Sequence, residues 1–160
     1  MADIEHERRV QRRRLLGFSL RCAPTQGALD HGRDLVLVPT GDGSTSDFAT
    51  VEGMDNLGQD LAVALSTPLT GDVFNIDFGF DGINAIAEET VPIMVQERIR
   101  IAVITVLQKD PRIRRIVDVQ LQDGRLTNPA NLRALDIRVV FETITGDTTT
   151  LDLGKVTTNG

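Results

Sequence analysis

The sequence predicts an α+β fold: a long helix packed on a small, mainly antiparallel sheet, with an extended N-terminal arm. Three observations carry this. Between Ile93 and Leu107, apolar residues recur at three- and four-residue steps (Val95, Ile99, Ala102, Val103, Val106, Leu107), the period of a helix with one buried face. From Ile113, and again from Arg133, the apolar period falls to two, as in strands whose side chains alternate between faces. Between the two patterns stands Asp110-Pro111-Arg112, where proline cannot continue a helix and pushes the preceding residue toward an extended conformation. The organisation expected is a charged arm over residues 1–16, one α+β domain over 17–154 and a polar tail over 155–160.

In chain order, Asp3 to Arg14 mixes acids with Arg8, Arg9, Arg12, Arg13 and Arg14. Such a segment is either a solvated, frayed helix or an arm for an acidic surface. Gly17 to Arg21 reads as a short strand, and residues 24–32 as a loop broken by Pro24, Gly27 and Gly32. Asp34 to Pro39 is a brief apolar strand, residues 40–47 a turn-rich loop, and Phe48 to Val51 a further strand. Asp42-Gly43 invites comparison with calcium loops, but the alternating oxygen ligands and the closing Glu are missing. Asp55 to Leu65 reads as a helix capped by Asp55, with Leu57, Leu61, Ala64 and Leu65 as its stripe. Leu69 to Gly82 is a Gly- and Asp-rich loop holding Phe74, Phe78 and Phe80, half of all the aromatic residues. Each Phe has a large apolar area to bury, either over the chain's own core or on a neighbour. Ile83 to Glu89 reads as a short helix, and Pro92 suits the first position of the long one.

Beyond the corner, Ile113 to Gln122 is a strand, with Val117, Val119 and Leu121 expected on one face and Asp118 and Gln120 on the other. Asp123-Gly124 turns the chain into a polar loop. In the strand from Arg133 to Thr143, Leu135, Ile137, Val139 and Phe141 face one side. Gly146-Asp147 turns the chain again, and Thr148 to Leu153 completes a three-stranded meander.

Composition excludes several function classes. A net charge of −6 in 160 residues argues against nucleic acid as the main partner. The arginine-rich arm has no interleaved aromatic residue for base stacking, so a protein carboxylate, which arginine grips in a planar fork, suits Arg12 and Arg13 better. The single cysteine, Cys22, allows no internal disulfide and no metal cluster. His6 and His31 are the only histidines, and Cys22 has no base near it in sequence for nucleophilic catalysis. No cofactor loop, metal spacing, signal-like apolar run or membrane-length stretch is present in the sequence, so the expectation is a cytoplasmic chain without cofactor or metal.

A helix, then acidic-Pro-Arg-Ile, then a Val-x-Val strand, with Phe74-Asn75 and Phe78-Gly79 upstream, resembles the baseplate wedge family that initiates the sheath of contractile phage tails. Relatives of that family occur in type VI secretion and in phage-tail-like injection particles. The resemblance runs from about Gly53 to Leu153. It departs at Asp110, where the family has Glu, keeping the charge and shortening the reach by one methylene. It implies a non-enzymatic structural protein of a six-fold hetero-oligomeric particle. It further implies that Asp110, Pro111 and Arg112 hold other wedge proteins, and that a sheet edge accepts extended sheath arms by strand addition. Beside the corner, Arg114 and Arg115 add cations for a partner's carboxylates. Phe74, Asn75 and Phe78 join the expected partner surface, and Arg12 and Arg13 are expected to touch a further protein, such as the tube or the sheath.

Two other function classes are open. Some members of the resembling family carry a lysozyme label, and glycoside hydrolysis needs two suitably spaced carboxylates, for which Glu88, Glu89 and Glu97 with Asp110 are candidates. The absence of Trp and Tyr leaves no such ring to stack on a sugar. The third class is a small nucleic-acid-binding module using the arm.

Overall fold

The computed structural model describes residues 2–24, 33–41, 43–82, 84, 88, 91–123 and 134–157. The architecture is mixed helix and sheet, broadly α+β, with a C-terminal three-stranded meander. Where one domain was expected, the chain divides into two compact units, Met1–Asp60 and Leu61–Gly160.

In the first unit, residues expected as an extended arm form helix α1, Ala2–Leu16. Its acids Asp3 and Glu5 lie in the first turn and Arg13 and Arg14 in the last, the arrangement that complements the helix dipole. Gly17, at φ +85°, ends the helix in the left-handed region and donates its N–H to the Arg13 carbonyl at 3.0 Å, a glycine C-cap. Leu16 is fully buried, so this end of the helix is anchored by packing.

Six three-residue strands follow: β1 (Phe18–Leu20), β2 (Cys22–Pro24), β3 (Arg33–Leu35), β4 (Leu37–Pro39), β5 (Ser46–Phe48) and β6 (Thr50–Glu52). They pair as three antiparallel ribbons, β1 with β6, β2 with β3, and β4 with β5. The ribbons meet at Arg21, Val36 and Ala49, which exchange hydrogen bonds in a closed ring. Arg21 N–H donates to the Ala49 carbonyl at 2.8 Å, Ala49 N–H to Val36 at 2.8 Å, and Val36 N–H to Arg21 at 2.9 Å. The result is a three-armed β-star. It explains why the strands expected at Asp34–Pro39 and Phe48–Val51 each break in the middle: at Val36 and at Ala49 the chain changes partner. Around the ring the opposed pairs are Leu20↔Thr50, Cys22↔Leu35 and Leu37↔Phe48.

Helix α2, Met54–Ser66, begins in the first unit and runs through the division. Gly53, at φ +64°, accepts the Leu57 N–H at 3.0 Å, so it takes the cap position expected of Asp55, and Asp55 sits in the first turn. Two amides of α2 organise the star. Asn56, buried, donates to the Leu16 carbonyl at 3.1 Å and accepts from Ser19 Oγ at 2.6 Å. Gln59 Oε1 accepts the Cys22 N–H at 2.7 Å while its Nε2 donates to the Leu20 carbonyl at 2.9 Å. That amide pairs with the backbone on both sides of Arg21, as a neighbouring strand would.

In the second unit, helix α3, Pro92–Lys109, packs against strand β7, Ile113–Asp123. Of the expected stripe, Ile99, Val103, Val106 and Leu107 are buried, with Val95 and Ala102 half-buried. The sheet order is β7-β8-β9, with β8 at Ala134–Thr143 and β9 at Thr148–Thr157. Ile137, Val139 and Phe141 of the central strand are buried with Val119 of β7. Val117 departs from the expected alternation and is exposed. The register slips there, from Ile116↔Phe141 to Asp118↔Val140, so Val117 is the extra residue of a β-bulge and leaves the apolar face. Lys155 to Thr157, expected as tail, continue β9. The short helix expected at 83–89 lies largely outside the described residues, as do the loops at 25–32 and 124–133 and the end of the tail.

Candidate functional site

The end of α3 is built by Asp110. Its N–H donates to the Leu107 carbonyl at 3.2 Å, and its own carbonyl accepts the Ile113 N–H at 3.1 Å. Asp110 to Ile113 is thus a β-turn with Pro111 second, the position proline's fixed φ prefers. The Asp110 carboxylate folds back over the turn. Oδ1 accepts the Arg112 N–H at 2.9 Å, and Arg112 Nε and Nη2 reach Oδ1 and Oδ2 at 2.9 and 2.6 Å. This is a two-pronged guanidinium–carboxylate pair with little exposure, 14% for the Asp110 side chain and 21% for Arg112. Burial by itself raises the Asp110 pKa, but the side-chain and backbone hydrogen bonds from Arg112 and its positive charge outweigh that. The carboxyl is held below its ordinary 3.8. A glycosidase's general acid needs the opposite shift, so Asp110 is unsuited to that part.

The Arg112 carbonyl accepts the Ile144 N–H at 3.0 Å, which ties the corner to the turn between β8 and β9. Arg114 and Arg115 stay largely exposed and share one carboxylate, Glu142, at 3.2 and 3.3 Å. Two cations on one anion leave a positive excess beside an exposed Pro111. Within the chain the charged groups of Asp110 and Arg112 pair with each other, and Pro111, Arg114 and Arg115 stand exposed beside them.

Lys109, the last residue of α3, donates its Nζ to the Asp77 carbonyl at 2.7 Å. This fastens the Phe-rich loop to the same helix end. The loop's base is closed by Phe80 N–H donating to Thr67 at 2.8 Å and Leu69 N–H to Phe80 at 3.1 Å. Gly79 lies at φ +113°, where a Cβ would stand 2.7 Å from the Thr67 carbonyl oxygen, so Phe78 must be followed by glycine. The three Phe have different fates: Phe80 is buried, Phe78 half-buried and Phe74 fully exposed, next to an exposed Asn75.

No protein-family model, curated protein or solved structure matches the chain. Arg13 of α1 is occupied within the first unit: its guanidinium pairs with Glu52 at 3.4 Å and lies 4.8 Å from the centre of the Phe18 ring. Arg9 pairs with the same Glu52. Arg12 also has a partner. Among the described residues no group of His, Cys, Asp and Glu could hold a metal ion, and no helix is long and apolar enough to cross a membrane.

The sheet supplies the other expected surface. Among the described residues, no strand pairs with the outer edge of β7 or of β9. Each edge has an irregular and a regular stretch. β7 slips at Ile113/Arg115 and Ile116/Asp118 and is regular from Asp118 to Asp123. β9 is regular from Thr148↔Glu142 to Asp152↔Arg138 and slips between Asp152 and Lys155, and bulges blunt an edge against further pairing. Sequence reasoning missed Glu142 as the anion shared by two arginines and Asn56 and Gln59 as backbone partners. It also missed Val73 and Ile76, whose signal was available as apolar residues in an otherwise Gly- and Asp-rich loop.

Proposed function

We propose that this protein is a structural component of a contractile tail or injection particle. In this reading it is a baseplate wedge protein whose sheet receives a foreign strand to start the sheath, and it works without catalysis. The observation that carries the proposal is the regular outer edge of β9 over Thr148 to Asp152, set in the same sheet as a locked, cation-bearing corner. Over these five residues the edge offers backbone donors and acceptors at constant spacing, and half-buried Thr149 and Leu151 alternate with exposed Thr148, Thr150 and Asp152. An incoming strand would gain affinity from the ladder and register from that alternation. The finer architecture belongs to the same reading: α3 braces the sheet from β7, and the arginine-bearing α1 offers a further protein contact. Pro111, Arg114 and Arg115 would meet carboxylates of neighbouring wedge proteins.

The test is Thr149→Lys, which places a charge on the edge face in the way natural edges repel pairing. In cells that make the particle, the variant should fold and join the baseplate, yet sheath growth should fall by about tenfold or more, as expected for loss of a central contact. Sheath of normal length and number on particles carrying the variant would overturn the reading.

A further inference from the structure

The loop from Leu69 to Gly79 shows its apolar residues where solvent reaches them and spends its hydrogen bonds on holding shape. Gly71 N–H donates to Pro68 at 2.9 Å, Asn75 N–H to the Asp72 carbonyl at 3.2 Å, and Phe78 N–H to Asn75 at 3.0 Å. The Asp72 carboxylate accepts the Phe74 N–H at 2.9 Å. Thr70 sits at φ +69°, a strained setting for a β-branched residue. On this fixed frame Val73 is 84% exposed, Phe74 101% and Ile76 63%. Single exposed apolar residues are ordinary on a protein surface. Three within four positions, on a loop whose backbone is already ordered, form a preorganised anchor, because little conformational entropy remains to be lost on docking.

The charge around the anchor selects its occupant. From Leu69 to Gly82 the chain carries Asp72, Asp77 and Asp81 and no Lys or Arg. Nearby, Lys109 supplies one cation to the Asp77 carbonyl. Anionic membranes attract basic segments and repel acidic ones, which disfavours a lipid surface. A protein pocket with a basic rim satisfies both the apolar tip and the acidic collar.

Building on the reading that the corner faces a wedge neighbour, we propose that this loop is a plug. Val73, Phe74 and Ile76 enter an apolar pocket of a neighbouring protein, and Asp72, Asp77 and Asp81 meet Lys or Arg on the pocket's rim. Lys109 sets the plug beside the corner, so both engage the same neighbour. Phe74 is the central anchor, since an aromatic side chain filling a desolvated pocket dominates such contacts.

The experiment places a photoreactive benzophenone side chain at position 74 of the full chain in cells making the particle, and sequences the peptide it links to. The expected adduct is an apolar segment of another protein flanked by Lys or Arg. Asp77→Lys in the same chain should lower its yield by about tenfold. Phe74→Ser should lower retention in the particle by about tenfold and Phe74→Leu much less. Both variants should melt with the parent, because Phe74 is fully exposed and its side chain supports nothing in its own fold. A link to an acidic segment, to a second copy of this chain or to lipid, or no link at all, would overturn the plug. So would binding to anionic vesicles that depends on Phe74. Normal sheath growth with Thr149→Lys together with the expected adduct would remove the sheath reading and leave the plug standing.

Discussion

The β-star of residues 18–52 and the meander of residues 113–157 are both antiparallel, but different parts of the chain hold them. In the meander, ten- and eleven-residue strands repeat an apolar residue often enough to bury Val119, Ile137, Val139 and Phe141. In the star, three-residue strands end before alternation can build a face, and Leu20, Leu35, Leu37 and Phe48 stay exposed. Its order comes from the backbone ring at Arg21, Val36 and Ala49 and from Asn56 and Gln59 of α2. Strand pairing alone does not reveal whether side chains or main chain carry a sheet.

The contrast can be broken by paired substitutions. Phe141→Ala should cost about 3–5 kcal/mol, the usual range for emptying a buried aromatic site, whereas Phe48→Ala should cost less than about 1 kcal/mol, as for an exposed cross-strand pair. Urea unfolding of the two variants measures both, and equal losses would erase the distinction. Val36→Pro reverses the logic. It removes the N–H that donates to Arg21, and should cost about 3 kcal/mol although it touches no core residue. Hydrogen exchange at Arg21 and Ala49 should quicken with it while the meander's amides keep their protection.

A smaller effect sharpens the comparison at the corner, where a side chain serves the backbone. Because the Asp110 pKa is depressed in the folded chain, its stabilisation is complete above the ordinary carboxylate value and is lost as pH falls through the folded value. Asp110→Asn should cost about 1.5–3 kcal/mol at neutral pH, the range for a charge-assisted hydrogen bond. Its deficit should shrink as pH drops below the ordinary Asp range. A deficit constant with pH in a urea-unfolding series would show that the carboxylate's charge is not what holds the turn.

These particulars also show what the sequence could tell. The helix ending at Lys109, the Asp-Pro-Arg turn and the β8 alternation were legible because each rests on a local rule: a 3.6-residue period, a fixed proline φ, a two-residue period. Val117 was misplaced because a bulge depends on the partner strand, which a single segment does not specify. The star was unreadable for a similar reason. Val36 and Ala49 look like strand interiors until Arg21 and the other ribbons are in place. At the site, the cations were visible, but their sharing of Glu142 and the inward lock of Asp110 on Arg112 were not, since both depend on register and turn geometry. The N-terminal arginines fitted either a frayed helix or an arm, and the acids ahead of them, placed at the start of α1, are what favour the helix.

The ring at Arg21, Val36 and Ala49 has a kinetic consequence. It closes only when three stretches far apart in sequence arrive together, a demand of the kind that slows folding through loop-closure entropy. The β4–β5 hairpin can zip early, because its limbs are neighbours. The β1–β6 ribbon must come last, and its arrival is the event that secures the strand following α1 beside the one leading into α2.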